Sequence, residues 1–462
     1  MLSSRLPKDL SPSPFFAELE RAKADVLAEC ANSDALPFID MTVSSPVKAG
    51  LPVELDVAVD EGRKAFGNWN PDAAGWKSAR EAVVEYYRER GGNFTAGQII
   101  LTASTSEAYS VLFKTFCDPG DVILTPMPGY PLLDTLVQLE HLECAPYFLK
   151  IRREGARSHN DKIAAKNNVI LSGAKNPVKS GFRFVLDSDS LLAAPEHAKI
   201  LLLVSPHNPT GHCISREEWN EAVRFCEENN MILVVDEVFG DYAFSDKVSR
   251  TWKYVFAPCH PERNEVESIY ETSQLVDLVE LGSKEQDLWD AGGGDFINLP
   301  EDGPKCPIFW LNGLSKAVGS PQLKLGWMAF YAPREHFEEI RAALEFVEDA
   351  YLSVSAPAQA LGASLLKLSA AYESKVLDRL QQNWQTLREA FPSKYCPEVL
   401  GGWYAVVRLG EDDEELTLRL LREKHVLVQP GFFFDFDKDG WVVMSLLQDP
   451  AIFKEAIERI KQ

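Results

Sequence analysis

The chain has 462 residues, 45% of them hydrophobic and 25% charged, so a well-packed globular protein of two domains is expected. A net charge of −22 argues against nucleic acid as a partner, and no apolar run reaches the length of a membrane helix. Residues 1–18 lack the apolar core of a signal peptide, and the eight cysteines form no C-x-x-C pair. We therefore expect a cytoplasmic protein without a metal, a disulfide framework or a membrane contact.

The stretch from Leu101 to Trp327 predicts α/β structure. Between Leu101 and Trp327 short apolar runs recur, and several alternate with amphipathic helical stretches, a pattern typical of a mainly parallel sheet. The clearest buried strands are predicted at Ile200–Val204, Ile232–Val235 and Ile308–Leu311. The sequence thus predicts a large α/β domain.

A helix is predicted between the first two of these strands, at Glu217–Glu228. Ser215 precedes it and Glu218 stands three residues after that serine, which is the spacing of a capping box. Strand, helix and strand together predict one right-handed crossover unit.

After Pro333 the pattern changes to long charged helices, predicted at Arg334–Ala350 and Ala356–Phe391. A strand at Trp403–Leu409, a helix at Glu414–His425, two short strands and a closing helix follow, which predicts a smaller α+β domain. We divide the chain into an N-terminal segment that packs with the small domain, a large domain and a small C-terminal domain, at residues 1–65, 66–330 and 331–462.

Two polar segments interrupt the α/β pattern, at about residues 152–181 and 258–305. Structureless loops of this length are uncommon inside a compact domain, so both are predicted to be insertions.

Three polar residues follow the three predicted buried strands. Asn208 lies in an Asn-Pro-Thr-Gly turn, Asp236 ends an apolar strand, and Lys316 lies on a turn rich in small residues. Reactive groups of α/β enzymes are found at such strand ends. Each residue alone also has an ordinary explanation, namely a turn, a helix cap or ion pair, and an exposed lysine.

Two earlier segments also carry polar or aromatic groups after a strand. Ser104, Thr105 and Ser106 open a helix, where hydroxyl and free N–H groups suit a phosphate but also suit plain N-capping. Tyr130 lies in a proline-rich turn, where it could stack on a ring or fill a core.

In their order along the chain, these segments resemble the class I and II aminotransferases of the aspartate aminotransferase superfamily. The resemblance extends from residue 38 to the last helix and leaves out the two inserts. It implies a fold-type I transferase that depends on pyridoxal 5'-phosphate (PLP). It also implies amino transfer between an amino acid and a 2-oxo acid, in a homodimer.

The resemblance implies a role for particular positions. Lys316 would be the catalytic residue that forms the aldimine, Asp236 would hold the pyridinium nitrogen, Asn208 the 3' oxygen, and Tyr130 would stack on the ring. The phosphate would be held by Ser104, Thr105, Ser106, Ser315 and Lys324.

The sequence departs from the family pattern mainly on the substrate side. Phe239 stands where many relatives have a tyrosine, and Trp69 stands where a tyrosine often reaches the partner subunit's phosphate. Met444 stands where an arginine usually binds the substrate α-carboxylate. Arg408 is the candidate that could compensate, although an arginine at a strand end more often faces solvent.

Two alternatives remain open on the sequence. A lyase of the same fold would act on the same aldimine, because a fold does not fix the reaction. A PLP-binding protein with little turnover is favoured slightly by the missing arginine and the inserts. The intact set of Lys316, Asp236, Asn208 and Tyr130 argues against it.

Overall fold

The computed structural model describes residues 3, 5–7, 11–31, 36–54, 56–68, 70–153, 181–245, 248–256, 300, 303–410 and 412–462. The described helices are Pro14–Glu29, Asp56–Ala65, Lys77–Arg88, Thr105–Phe116, Leu132–Leu139, Ser188–Leu191, Arg216–Glu228, Lys253–Phe256, Leu314–Ala317, Arg334–Asp349, Ala356–Leu366, Ser369–Ala390, Asp413–Lys424 and Pro450–Ile460. The described strands are β1 (Ile39–Asp40), β2 (Ile99–Thr102), β3 (Val122–Met127), β4 (Glu143–Arg153), β5 (Phe182–Leu186), β6 (Ala198–Val204), β7 (Ile232–Asp236), β8 (Ile308–Gly313), β9 (Gly326–Tyr331), β10 (Tyr404–Arg408), β11 (Val426–Leu427), β12 (Gln429–Pro430) and β13 (Trp441–Ser445).

An eight-stranded sheet in the order β2-β9-β8-β7-β6-β3-β4-β5 forms the centre of the molecule. The run from β8 to β4 is parallel, whereas β9 is antiparallel to both neighbours and β5 is an antiparallel edge strand. Both faces are covered, and alternate residues of β7 therefore enter different cores: Leu233 and Val235 pack on one face and Val234 on the other. This confirms the predicted α/β class with a mainly parallel sheet.

The predicted crossover unit is present between β6 and β7. The helix Arg216–Glu228 has Ser215 as its N-cap, and Ser215 and Glu218 form the predicted capping box. The two strands pair in parallel, with Val204 opposite Asp236.

The C-terminal part contains an antiparallel sheet in the order β10-β13-β12. The N-terminal chain contributes to this part, because β1 pairs with β11 and the helix Pro14–Glu29 packs on Asp413–Lys424. The sequence predicted two short strands before the closing helix, and the structure has three, β11, β12 and β13. Of these, β11 and β12 are two-residue strands that belong to different sheets.

The single helix predicted at Ala356–Phe391 is wrong, because two helices occupy that stretch. The first is capped by Lys367, and the second begins at Ser369. No proline or glycine marks the break in the sequence. Ser369 is fully buried and accepts a hydrogen bond of 3.2 Å from Arg90 Nη2, so the boundary coincides with a tertiary contact.

The first predicted insert begins later than the sequence indicated. Arg152 and Arg153 belong to β4 and pair with Arg183 and Phe182 of β5. Most of both predicted inserts, residues 154–180, 257–299 and 301–302, lies outside the described residues. Of the described helices, none is both long enough and apolar enough to cross a bilayer.

Candidate functional site

Three polar residues meet at the carboxyl ends of adjacent strands. Asp236 is the last residue of β7, and in the register it lies beside Val204 of β6 and Leu311 of β8. Asn208 follows β6 and Lys316 follows β8 within a few residues. The sheet therefore brings together the three residues that the sequence placed at strand ends.

The carboxylate of Asp236 is held by two donors. Tyr109 donates its hydroxyl to Oδ2 at 2.7 Å, and the backbone N–H of Val238 donates to Oδ1 at 3.0 Å. Burial raises the pKa of Asp236, while these hydrogen bonds and the nearby Lys316 oppose the rise. The carboxylate thus has a fixed orientation in a site of low polarity.

The amine of Lys316 lies between two aromatic rings. Its Nζ is 5.0 Å from the ring centre of Trp403 and 5.5 Å from that of Phe239. Burial lowers the pKa of Lys316 to about 8, against the opposing effect of the Asp236 carboxylate. The hydroxyl of Tyr242 donates to the backbone oxygen of Lys316 at 2.6 Å, which holds the lysine's backbone in place.

The side-chain amide of Asn208 has an unused hydrogen-bond acceptor. Its Oδ1 is buried and has no hydrogen-bond partner among the described residues. A buried acceptor without a partner is costly, so this oxygen is free to bind a further polar group.

The hydroxyl-rich turn opens the helix Thr105–Phe116. The Ser104 hydroxyl accepts from the backbone N–H of Glu107 at 3.2 Å, so Ser104 is the N-cap, as the ordinary interpretation of this turn predicted. Thr105 and Ser106 occupy the first turn, where backbone N–H groups lack intrahelical acceptors and favour an anion.

Two glycines bring this turn close to the segments that carry Ser315 and Lys324. Gly313 and Gly326 pair at the ends of β8 and β9, two residues from Ser315 and Lys324 respectively. A Cβ on Gly326 would lie 3.0 Å from the carbonyl carbon of Ser104, so a side chain there would displace the turn. All five predicted phosphate ligands therefore lie on backbone segments that pack against each other.

Tyr130 lies at the rim of the site and is 47% exposed. Burial raises the pKa of its phenol and the Asp236 carboxylate adds to the rise, so the two groups are within electrostatic reach. The stacking role of Tyr130 stays a prediction.

The structure does not bring Arg408 to this group. Its Nε donates to the backbone oxygen of Asp439 at 3.2 Å, at the opposite end of β10 from Tyr404 and about 13 Å along the strand. Met444 is fully buried in β13, whose five residues include no cation. Trp69 lies outside the described residues.

Two contributors were missed at the level of sequence, Tyr109 and Trp403. Tyr109 follows Thr105 by one helical turn, and Trp403 follows the Gly401-Gly402 pair before β10. Those positions were the available signals, but neither predicts a contact across elements.

Known proteins resemble this chain in sequence over most of its length. A sequence profile for the family described as Aminotransferase class I and II matches residues 47–460. The chain is 22% identical over 437 residues to a glutamate-pyruvate aminotransferase of Haemophilus influenzae, covering 92% of this chain and 89% of that protein. It is 23% identical over 403 residues to an alanine aminotransferase of Mycobacterium tuberculosis, covering 84% and 76%.

Solved structures resemble the whole molecule. An alanine aminotransferase from Pyrococcus furiosus matches with a TM-score of 0.69 at 20% identity, covering 98% of each chain. An aspartate aminotransferase from Thermotoga maritima matches with a TM-score of 0.70 at 18% identity, covering 100% of this chain and 99% of that one. At these identities the likeness establishes the fold.

Proposed function

The chain belongs to the class I and II aminotransferase family, and from that premise we propose that Lys316 binds PLP covalently in this site. It is a PLP-dependent aminotransferase, which moves an amino group between an amino acid and a 2-oxo acid. The observation that carries the assignment of residues is the meeting of Lys316, Asp236 and Asn208 at adjacent strand ends.

The described side chains fit PLP. The Asn208 amide, whose buried oxygen has no described partner, is available to the ring's 3' oxygen, because amide nitrogen and oxygen are interchangeable by a flip. The lowered pKa of Lys316, about 8, makes a neutral amine accessible near neutral pH. Asp236 supplies an oriented carboxylate for the pyridinium nitrogen.

The remaining roles follow from position. Tyr130 would cover one face of the ring from the rim of the site. The phosphate would be held by the anion-favouring helix start and its neighbours, Ser104, Thr105, Ser106, Ser315 and Lys324. Lys324 is exposed and places a point charge where a bidentate arginine is usual in relatives.

PLP, when bound, supplies an electron sink that makes the substrate's Cα proton easier to remove. Lys316 would carry that proton, because desolvation lowers the pKa of its amine to about 8, which lets the amine both accept and release a proton near neutral pH. The rings of Phe239 and Trp403 lie 5.5 and 5.0 Å from the amine and would limit the access of water to it. Asp236 would keep the ring nitrogen protonated throughout.

We also propose a homodimer in the cytoplasm. Trp69 is the residue proposed to contact the partner subunit's phosphate, as the family pattern suggests. The described cysteines are free thiols, which is consistent with a reducing compartment. Amino acids and 2-oxo acids are the proposed small-molecule partners.

A lysine substitution tests the central assignment. Lys316→Ala should abolish the absorbance of the imine between lysine and PLP and the adduct that borohydride fixes. Turnover should be lost, while circular dichroism stays unchanged. Lys367→Ala, at an exposed lysine in the C-terminal part, is the matched control and should keep all these properties. A borohydride-fixed adduct in Lys316→Ala would contradict the assignment.

The reaction type has its own test. Amino transfer requires a 2-oxo acid acceptor, whereas a lyase would release ammonia and an oxo acid without one. Product formation that depends on the acceptor supports amino transfer. Ammonia released in its absence would favour the lyase.

A further inference from the structure

The Asp236 carboxylate is held from two different elements, and each holds one oxygen. Val238 N–H, in the loop after β7, donates to Oδ1, and Tyr109 OH, from the helix Thr105–Phe116, donates to Oδ2. A carboxylate oxygen has two lone pairs, so each oxygen can still accept one further donor. The contact with Tyr109 fixes the carboxylate without using up its capacity to bind.

Tyr109 is a reliable donor because it stays neutral. Its side chain is 4% exposed, and burial raises the pKa of its phenol well above the usual value, with the Asp236 carboxylate adding to the rise. The other groups that face Asp236 are Lys316, which favours the charged carboxylate, and the half-exposed Tyr130. Only Tyr109 among these three side chains donates a hydrogen bond to it.

The same helix also carries the hydroxyl-rich turn. Ser104 caps the helix and Thr105 begins it, so Tyr109 lies one turn beyond the proposed phosphate site. A helix turn has a fixed length, and this helix packs in the core through residues such as Leu112 and Phe113. One rigid element therefore connects the two ends of the site.

We propose that Tyr109 is a positioning residue for Asp236. Its hydroxyl orients the carboxylate, and the helix Thr105–Phe116 thereby sets the separation between the phosphate turn and the group that holds the ring nitrogen. This inference deepens the proposed function and rests on it, since both ends of the site are assigned to one PLP molecule. Tyr109 acts through Asp236 and does not itself touch the reacting atoms.

Tyr109→Phe removes the hydroxyl and keeps the ring. The lost hydrogen bond favoured the charged carboxylate, so the pKa of Asp236 should rise in the cofactor-free protein. The carboxyl band in infrared spectra measures this pKa, with Asp236→Asn to assign the band. The dissociation constant for PLP should increase, by at most about a hundredfold, because the Asp236 carboxyl must then be ionised and oriented at the expense of binding.

Tyr147→Phe is the matched control. Tyr147 is also buried, and its hydroxyl donates to the backbone oxygen of Leu202 at 2.8 Å instead of to Asp236. Its loss should lower thermal stability, while PLP affinity and the Asp236 pKa stay at their wild-type values.

Three outcomes distinguish the positioning role of Tyr109 from the proposed function. A raised Asp236 pKa and weaker PLP binding in Tyr109→Phe alone support the positioning role. If wild-type protein binds PLP and both phenylalanine variants bind it equally well, with the Asp236 pKa unchanged, this inference fails and the proposed function stands. If the wild-type protein does not bind PLP, the proposed function and the inference are overturned together.

Discussion

At the scale of single residues, Lys316 has surroundings unlike those of a solvent-exposed lysine. Its amine lies beside two aromatic rings, with Asp236 as the nearby carboxylate that favours the charged form. Burial outweighs that attraction, because the pKa of Lys316 falls from the ordinary value of 10.5 to about 8. A large fraction of the amine is therefore neutral under mildly alkaline conditions.

This pKa leads to a pH prediction. Only the neutral amine attacks an aldehyde, so the rate at which cofactor-free protein takes up PLP should rise with pH and level off above about 8. Stopped-flow absorbance measures the rate. In Asp236→Asn the midpoint should move to lower pH, because the carboxylate that raises the lysine pKa is gone. A wild-type midpoint near 10.5, the value for an exposed lysine, would contradict the buried setting.

The sequence predicted the positions of Lys316, Asp236 and Asn208 for a physical reason. Buried strands have a readable apolar pattern, and polar residues at their ends meet wherever the strands are adjacent and parallel. The contacts of Tyr109 and Trp403 could not be predicted in this way. They join different elements, and their distances depend on packing that the local sequence does not contain.

At the scale of elements, the sequence predicted features that depend on neighbouring residues and missed one that coincides with a contact between distant parts of the chain. The capping box at Ser215 and Glu218 was predicted because all its atoms lie within one turn of chain. The break between Lys367 and Ser369 was missed, because the sequence there continues to favour a helix while Arg90 contacts the second helix from elsewhere in the fold.

The ladder of β4 and β5 gives a prediction for the first insert. Arg153 and Phe182 are paired residues, so the chain leaves and rejoins the sheet at one place. Replacing residues 154–181 by Asn-Gly should close a two-residue hairpin and leave PLP affinity and the melting temperature nearly unchanged. Titration with PLP and calorimetry measure these quantities.

The matched control for this replacement removes two residues more. Replacing residues 152–181 by Asn-Gly also deletes Arg152 and Arg153, which belong to the ladder, so stability should fall. Loss of PLP binding after the replacement of residues 154–181 would mean that the insert contributes to the site.

At the scale of the whole molecule, the sequence predicted the class of the large sheet but not its strand order. Placing β9 between β2 and β8 requires pairing between strands far apart in the chain, and no local pattern encodes that choice. The division at residues 65 and 330 remains a proposal. The contacts of β1 with β11 are consistent with an N-terminal segment that packs on the C-terminal part.

The proposed homodimer gives a prediction about mixed subunits. If Trp69 serves the neighbouring site, Lys316→Ala and Trp69→Ala subunits each form impaired dimers. A mixed dimer would contain one site with both residues intact, so exchanging subunits should restore part of the activity. Light scattering should give twice the chain mass of 51.6 kDa. An active monomer, or mixing without recovery, would contradict the shared site.

The helix that joins Ser104 to Tyr109 also limits the insertions and deletions that are compatible with the geometry of the site. One inserted residue between them would rotate Tyr109 by about 100° about the helix axis and turn its hydroxyl away from Asp236. A substitution on this turn leaves the spacing of Ser104 and Tyr109 unchanged, whereas an insertion or deletion alters it. Variation in length should therefore accumulate in segments such as residues 154–181, while the six positions from Ser104 to Tyr109 keep their number.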